Sequence, residues 1–128
     1  MKILLDTHTF IWFVMGNTKI SAVARTLIEA DNNEKIVSTA SLWEIAVKLS
    51  IGKLNLALSF DEFVSKQLYG NGFDLLKIET GHISSVSTLP LHHRDPFDRL
   101  LIAQAIVENI PVVSADKAFD SYAINRLW

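Results

Sequence analysis

Four acidic residues stand where a strand–helix chain can use them together. Asp6 follows the apolar run Lys2-Ile3-Leu4-Leu5, and Asp116 lies just beyond Pro111–Ser114. Glu44 falls in the first turn of a helical pattern that follows Lys35-Ile36-Val37-Ser38, and Asp98 in the first turn of the pattern opened by Asp95-Pro96. Two bare carboxylates ~5 Å apart repel by roughly 3 kcal/mol at an effective dielectric of 20. A divalent cation removes that penalty. Oxygen donors suit Mg²⁺ or Mn²⁺, and such an ion activates water and stabilises charge on a phosphate. Phosphoryl or phosphodiester chemistry is the class this pattern points to.

Each acid also has a role that needs no cation. Asp6 can end a strand and cap the next helix, and Ser41-x-x-Glu44 has the form of a capping box. Lys48 offers Glu44 an i,i+4 ion pair. Asp98 suits the positive end of its helix, though Asp95 already fits as the cap, and Asp116 can be a turn residue. The shared strand-end location favours a joint role. His92-His93-Arg94 form a basic loop leading into the Asp98 helix, and Arg99 follows it. They read as a solvated loop or as phosphate-steering groups. His8 stands beside the site. Trp12, Phe13, Trp43, Phe63 and Phe97 read as core or dimer packing.

The elements that position the acids follow from period and caps. Lys2–Leu5 and Lys35–Ser38 are short buried strands, with a helix from Thr9 to Val14 and another capped by Ser21 between them. Ser41 opens a helix whose apolar face is Trp43, Ile45 and Leu49, ending near Gly52. Ser59 starts Phe63–Tyr69, closed by Gly70. Phe73–Ile78 is a third strand and Thr80–Val86 a short helix. Asp95 caps a helix with Pro96 at its first position, running to about Glu108. Pro111–Ser114 is a fourth strand and Ile124–Trp128 a fifth, at the edge. This alternation predicts an α/β fold: a three-layer α/β/α sandwich around a parallel sheet of about five strands. Ligands bind such sheets beyond the carboxyl ends of the strands, where the acids fall.

Composition narrows the rest. The chain has 128 residues, read as a single domain over 1–128, and 49% hydrophobic against 20% charged residues excludes bulk disorder. The absence of cysteine removes disulfides, thiolate metal sites and a cysteine nucleophile together. Four scattered histidines form no zinc pattern. Asp6 comes too early for a signal peptide, and no apolar run approaches the ~20 residues of a membrane span. A soluble, cytoplasmic protein is expected. A net charge of −2 and a pI of about 6.0 do not suit a bulk nucleic-acid coat protein, but they allow a nucleic-acid enzyme.

Leu4-Leu5-Asp6-Thr7-His8-Thr9, Ala40-Ser41-Leu42-Trp43-Glu44-Ile45, the run from His92 to Ala105 and Val113-Ser114-Ala115-Asp116 resemble PIN-domain proteins, in particular toxin-like members of the VapC type. The resemblance spans essentially the whole chain in order, and the His92–Ala105 block is its most specific part. It implies an α/β/α sandwich and Mg²⁺- or Mn²⁺-dependent endoribonuclease action. Carried onto this sequence, Asp6 and Asp98 become the primary metal ligands. Glu44 becomes a ligand through water or the orienter of the attacking water, and Asp116 completes the site or holds a second metal. A homodimer and a small antitoxin partner are also implied.

Other functions compete. Asp6-Thr7-His8-Thr9 after a strand resembles the nucleophile motif of haloacid-dehalogenase phosphatases, but His8 stands where the acid/base aspartate belongs. A receiver domain needs a phosphoacceptor after the third strand, where this chain has Lys77-Ile78-Glu79-Thr80. A catalytically weak RNA- or partner-binding module would keep the acids as a relic. Independently of any resemblance, Trp12-Phe13-Val14-Met15 looks too apolar for a short helix to bury and points to an interface. An antitoxin could inhibit by placing an arginine or lysine among the four acids.

Overall fold

The computed structural model describes residues 1–128. It contains five strands, β1 (Lys2–Leu5), β2 (Glu34–Ser38), β3 (Asp74–Leu76), β4 (Val112–Val113) and β5 (Arg126–Leu127), all parallel in the order β3-β2-β1-β4-β5. The α-helices are α1 (Thr7–Val14), α2 (Ala22–Glu29), α3 (Thr39–Ser50), α4 (Phe60–Phe63), α5 (Thr80–Ser87) and α6 (Pro96–Glu108). A π-helix, Val64–Tyr69, continues α4, and a 3₁₀ helix spans Lys117–Ser121. No helix is long and apolar enough to cross a membrane.

The strands are apolar on both faces because both faces are covered. Ile3 and Leu5 of β1, with Val37 and Val113, turn to one side and pack with Phe10, Ile28, Phe63 and Leu68. Leu4, Ile36 and Val112 turn to the other, against Ile102 and Ala105 of α6 and Phe119. The two-residue alternation of strands thus makes two cores and three layers. Strand order reverses between β1 and β4. The loops leaving these strands diverge there and open a crevice at the carboxyl edge.

Several boundaries differ from the sequence expectation. Helix α1 begins at Thr7 rather than Thr9, because Asp6 itself is the cap: its Oδ1 accepts from the Thr9 amide at 2.8 Å. Helix α3 begins at Thr39, capped by the Ser38 hydroxyl, which accepts from the Ala40 amide. Glu44 therefore lies in the second turn, and the Ser41–Glu44 capping box does not form. The expected apolar face differs as well, because Trp43 and Ile45 lie two positions, about 200°, apart and cannot share a face. Ile45 is buried, but Trp43 is 59% exposed. Strands β3, β4 and β5 are shorter than expected. Trp12, Phe13 and Val14 are half-buried against the first core, with Trp12 edge-on to Trp128 and Phe13 to Phe73. Of that apolar stretch only Met15, 56% exposed, stands mainly in solvent.

Candidate active site

The crevice at the β1/β4 reversal is where three of the acids enter. Asp6 leaves β1, Asp116 follows β4, and Asp98 is the third residue of α6, whose first turn starts at the same edge. Helix α6 is launched as the sequence suggests. Asp95 Oδ1 accepts from the amides of Phe97 and Asp98, and Pro96 takes the first helical position. Asp98 is thereby relieved of capping. Asp6 and Asp116 line a cavity of about 320 Å³ with His8, Trp12 and Ala115.

One hydroxyl group and one imidazole set the carboxylates. Ser114 Oγ donates to Asp6 Oδ2 at 2.6 Å and accepts from the Asp116 amide at 3.0 Å, tying the ends of β1 and β4 together. The Thr7 hydroxyl donates to Ser41 Oγ at 2.9 Å, joining α1 to α3. His93 Nε2 lies 2.9 Å from Asp116 Oδ2 and 3.2 Å from Asp98 Oδ2. Its Nδ1 accepts from the Asp95 amide at 3.1 Å. That bond places the ring hydrogen on Nε2, so His93 donates to the carboxylates. The potential ligand atoms of His93, Asp98 and Asp116 all lie within 4.8 Å of one another. Asp6 and Glu44 stand outside this tight group and meet it through the field at Asp98.

Glu44 is 3% exposed. Its Oε2 pairs with Lys48 Nζ at 2.8 Å, the expected i,i+4 partner, while Oε1 is buried with no hydrogen-bond partner. An orphaned buried carboxylate oxygen is costly. Burial pushes the Asp98 carboxyl up to about 7; the carboxylates of Asp95 and Asp6 push the same way, His93 opposes them, and Glu44 adds the least. Burial also raises Asp6, in spite of hydrogen bonds from Ser114 and Thr9. Crowded, under-compensated oxygen donors fit a hard divalent cation, and with His93 acting as a donor the set is oxygen alone.

Sequence reasoning placed all four acids at the carboxyl edge but missed how His93 and Ser114 hold them. Both residues sit inside the blocks that carried the resemblance, which was the available signal. Arg99 is not free for phosphate: its guanidinium donates to the carbonyls of Leu89, Pro90 and His93 and braces the loop before α6. His8 lines the cavity and packs against Trp12, 5.8 Å between ring centroids.

The raised Asp98 pKa has a sign that can be measured. Between the unfolded carboxyl value near 4 and the folded value of about 7, the folded state holds the extra proton. This group therefore makes the cation-free protein less stable as pH rises through that window, by at most about 4 kcal/mol. In urea denaturation with EDTA, wild type is expected to lose more stability between pH 5 and pH 8 than Asp98→Asn. Equal losses would contradict the coupling of Asp98 to its neighbours.

A five-stranded parallel sheet covered on both faces, with acidic residues at its order reversal, defines an α/β protein. The PIN-domain family model matches residues 3–125, so the chain belongs to the PIN-domain family, whose members are generally nucleases. Among curated proteins no relative matches the sequence. Solved structures show the same fold. VapBC2 from Rickettsia felis, bound to a DNA fragment from its promoter, aligns at a TM-score of 0.71 and 16% identity over 100% of both chains. FitAcB from Neisseria gonorrhoeae aligns at 0.62 and 14%, over 97% of this chain and 95% of that one. A toxin–antitoxin complex from Klebsiella pneumoniae aligns at 0.60 and 16%, over 91% and 89%.

Proposed function

We propose that this protein is a Mg²⁺- or Mn²⁺-dependent endoribonuclease and the toxin of a toxin–antitoxin pair. One observation carries the reading: Asp98 and Asp116 meet at the sheet's order reversal within the field of the buried Asp6 and Glu44, and Glu44 Oε1 has no protein partner. Family membership and the toxin–antitoxin complexes among the structural neighbours support it.

Asp6 and Asp98 would hold the cation, with Asp116 completing the site or serving a second ion. When bound, the ion activates water and neutralises charge on the phosphate. Glu44 Oε1 is the acceptor available to orient the attacking water. His93 keeps Asp98 and Asp116 in register through Nε2–H, and Ser114 fixes the face that Asp6 presents. Asp98 must shed its proton to act as a ligand, so cation affinity should rise from pH 6 to pH 8.

A small antitoxin and a homodimer belong to the same proposal. Glu44 already pairs with one cationic side chain, Lys48, and a partner's arginine or lysine would meet the remaining acids in the same way. Met15, with Val14, Leu56, Leu58 and Phe63, lines an apolar groove that offers a partner segment a foothold. The same Lys48 contact favours a second reading, a silent RNA- or partner-binding module.

Incubation with labelled single-stranded RNA separates the readings. Internal cleavage is expected with Mg²⁺ or Mn²⁺, with little turnover in Ca²⁺, whose looser shell positions water poorly. Cleavage should stop in excess EDTA. Full activity in EDTA would sink the metal mechanism, and RNA binding without cleavage under any cation would favour the silent module.

A further inference from the structure

Helices α3 and α6 each carry an aromatic residue one position before an acid of the site: Trp43 before Glu44, and Phe97 before Asp98. Adjacent helical positions point about 100° apart. When the acids turn inward, the aromatics turn to the rim. The two rings meet edge to face with centroids 4.9 Å apart. Neither residue belongs to either core, and Trp43 keeps 59% of its surface in solvent. Phe97, half-buried, braces the indole, so Trp43 is an exposed but oriented ring on the helix that carries Glu44, against the helix that carries Asp98.

We infer that Trp43, braced by Phe97, is a stacking platform for an unpaired nucleobase next to the scissile phosphate. This rests on the ribonuclease reading and deepens it. A phosphate drawn to the cation that the acids would hold brings its neighbouring base towards the helix carrying Glu44 and Trp43, and Arg94, exposed in the loop before Asp98, can meet the backbone. The net charge of −2 means that counterion release alone supplies little affinity. Base–aromatic stacking supplies it without regard to sequence. Stacking also needs a free base face, which a duplex does not present. The cavity beside Asp6 and Asp116 is lined by another aromatic, Trp12, with Lys19 Nζ 5.8 Å from its ring.

The test compares wild type, Trp43→Leu and Trp43→Phe. Binding of a fluorescein-labelled single-stranded oligoribonucleotide is followed by anisotropy in Ca²⁺, and its cleavage in Mg²⁺ or Mn²⁺. A self-complementary duplex of equal length serves as the control, and sedimentation reports the oligomeric state of each variant. Trp43→Leu is expected to weaken single-strand binding and raise KM about tenfold, with kcat falling less. Trp43→Phe should stay within about threefold of wild type, and the duplex should bind poorly to all three. Wild-type binding by Trp43→Leu would overturn the platform and leave the ribonuclease reading standing. Trp43-dependent binding with no cleavage would overturn the ribonuclease reading and keep the platform. If Trp43→Leu instead dissociated a dimer while each protomer bound RNA unchanged, the aromatic pair would be a protein interface and the inference would fall.

Discussion

Asp98→Asn is expected to reduce RNA cleavage by about two to four orders of magnitude, the usual worth of a preorganised catalytic group. Asp98 is the residue through which the site is coupled, feeling Asp6 and Glu44 across space and lying 3.2 Å from His93 Nε2. Asparagine keeps the shape and removes the charge. Helix α6 should not suffer, because its cap is Asp95. Asp6→Asn should cost as much activity but is the less clean variant. Its carbonyl can still accept from the Thr9 amide, whereas its NH₂ would face a Ser114 hydroxyl that now donates to Asp6 Oδ2 and accepts from the Asp116 amide. Single-turnover cleavage, with circular dichroism to verify folding, checks both. A residual rate above a tenth of wild type in Asp98→Asn would contradict its role.

Glu44→Gln is expected to lower cleavage at least a hundredfold while leaving the cation-free protein as stable as wild type, or more so, near pH 8. The two halves of this expectation have different causes. Loss of the carboxylate removes the acceptor aimed at the attacking water. It also removes one charge from a crowded buried set, and Lys48, 32% exposed, can turn to solvent at little cost. A residue that served only the helix would show no kinetic effect, since glutamine is an equally good helix former. Unchanged kcat with unchanged KM would return Glu44 to that structural role. Paired urea titrations and cleavage rates decide it.

Much of this was legible along the chain because the signals are local. Unbroken apolar runs such as Ile3-Leu4-Leu5 announce strands buried on both faces. Asp95-Pro96 announces a helix start, and alternation of the two element types announces a covered parallel sheet. With strands parallel, residues that follow them share an edge, so Asp6 and Asp116 could be placed together without coordinates. The start of α3 was less legible, because Ser38 and Ser41 both have the chemistry of a cap. Packing of the strand that ends at Ser38 chose the earlier one. That shift of three residues carried Glu44 into the second turn, while the exposure of Trp43 follows from its place about 200° from the buried Ile45.

Local pattern determined the elements, their order and the type of residue at each strand end. Tertiary structure decided which of those ends are neighbours. The order β3-β2-β1-β4-β5 depends on which edge each crossover chooses, and it alone sets β1 beside β4 and opens the crevice between them. Contacts across long sequence separations followed from it: Ser114 on Asp6, 108 residues away, and His93 on Asp116, 23 residues away. The tautomer of His93, the orphaned oxygen of Glu44 and the raised pKa of Asp98 are properties of those meetings. They depend on burial and on the field of neighbours brought in by the sheet, and no short stretch of sequence encodes either.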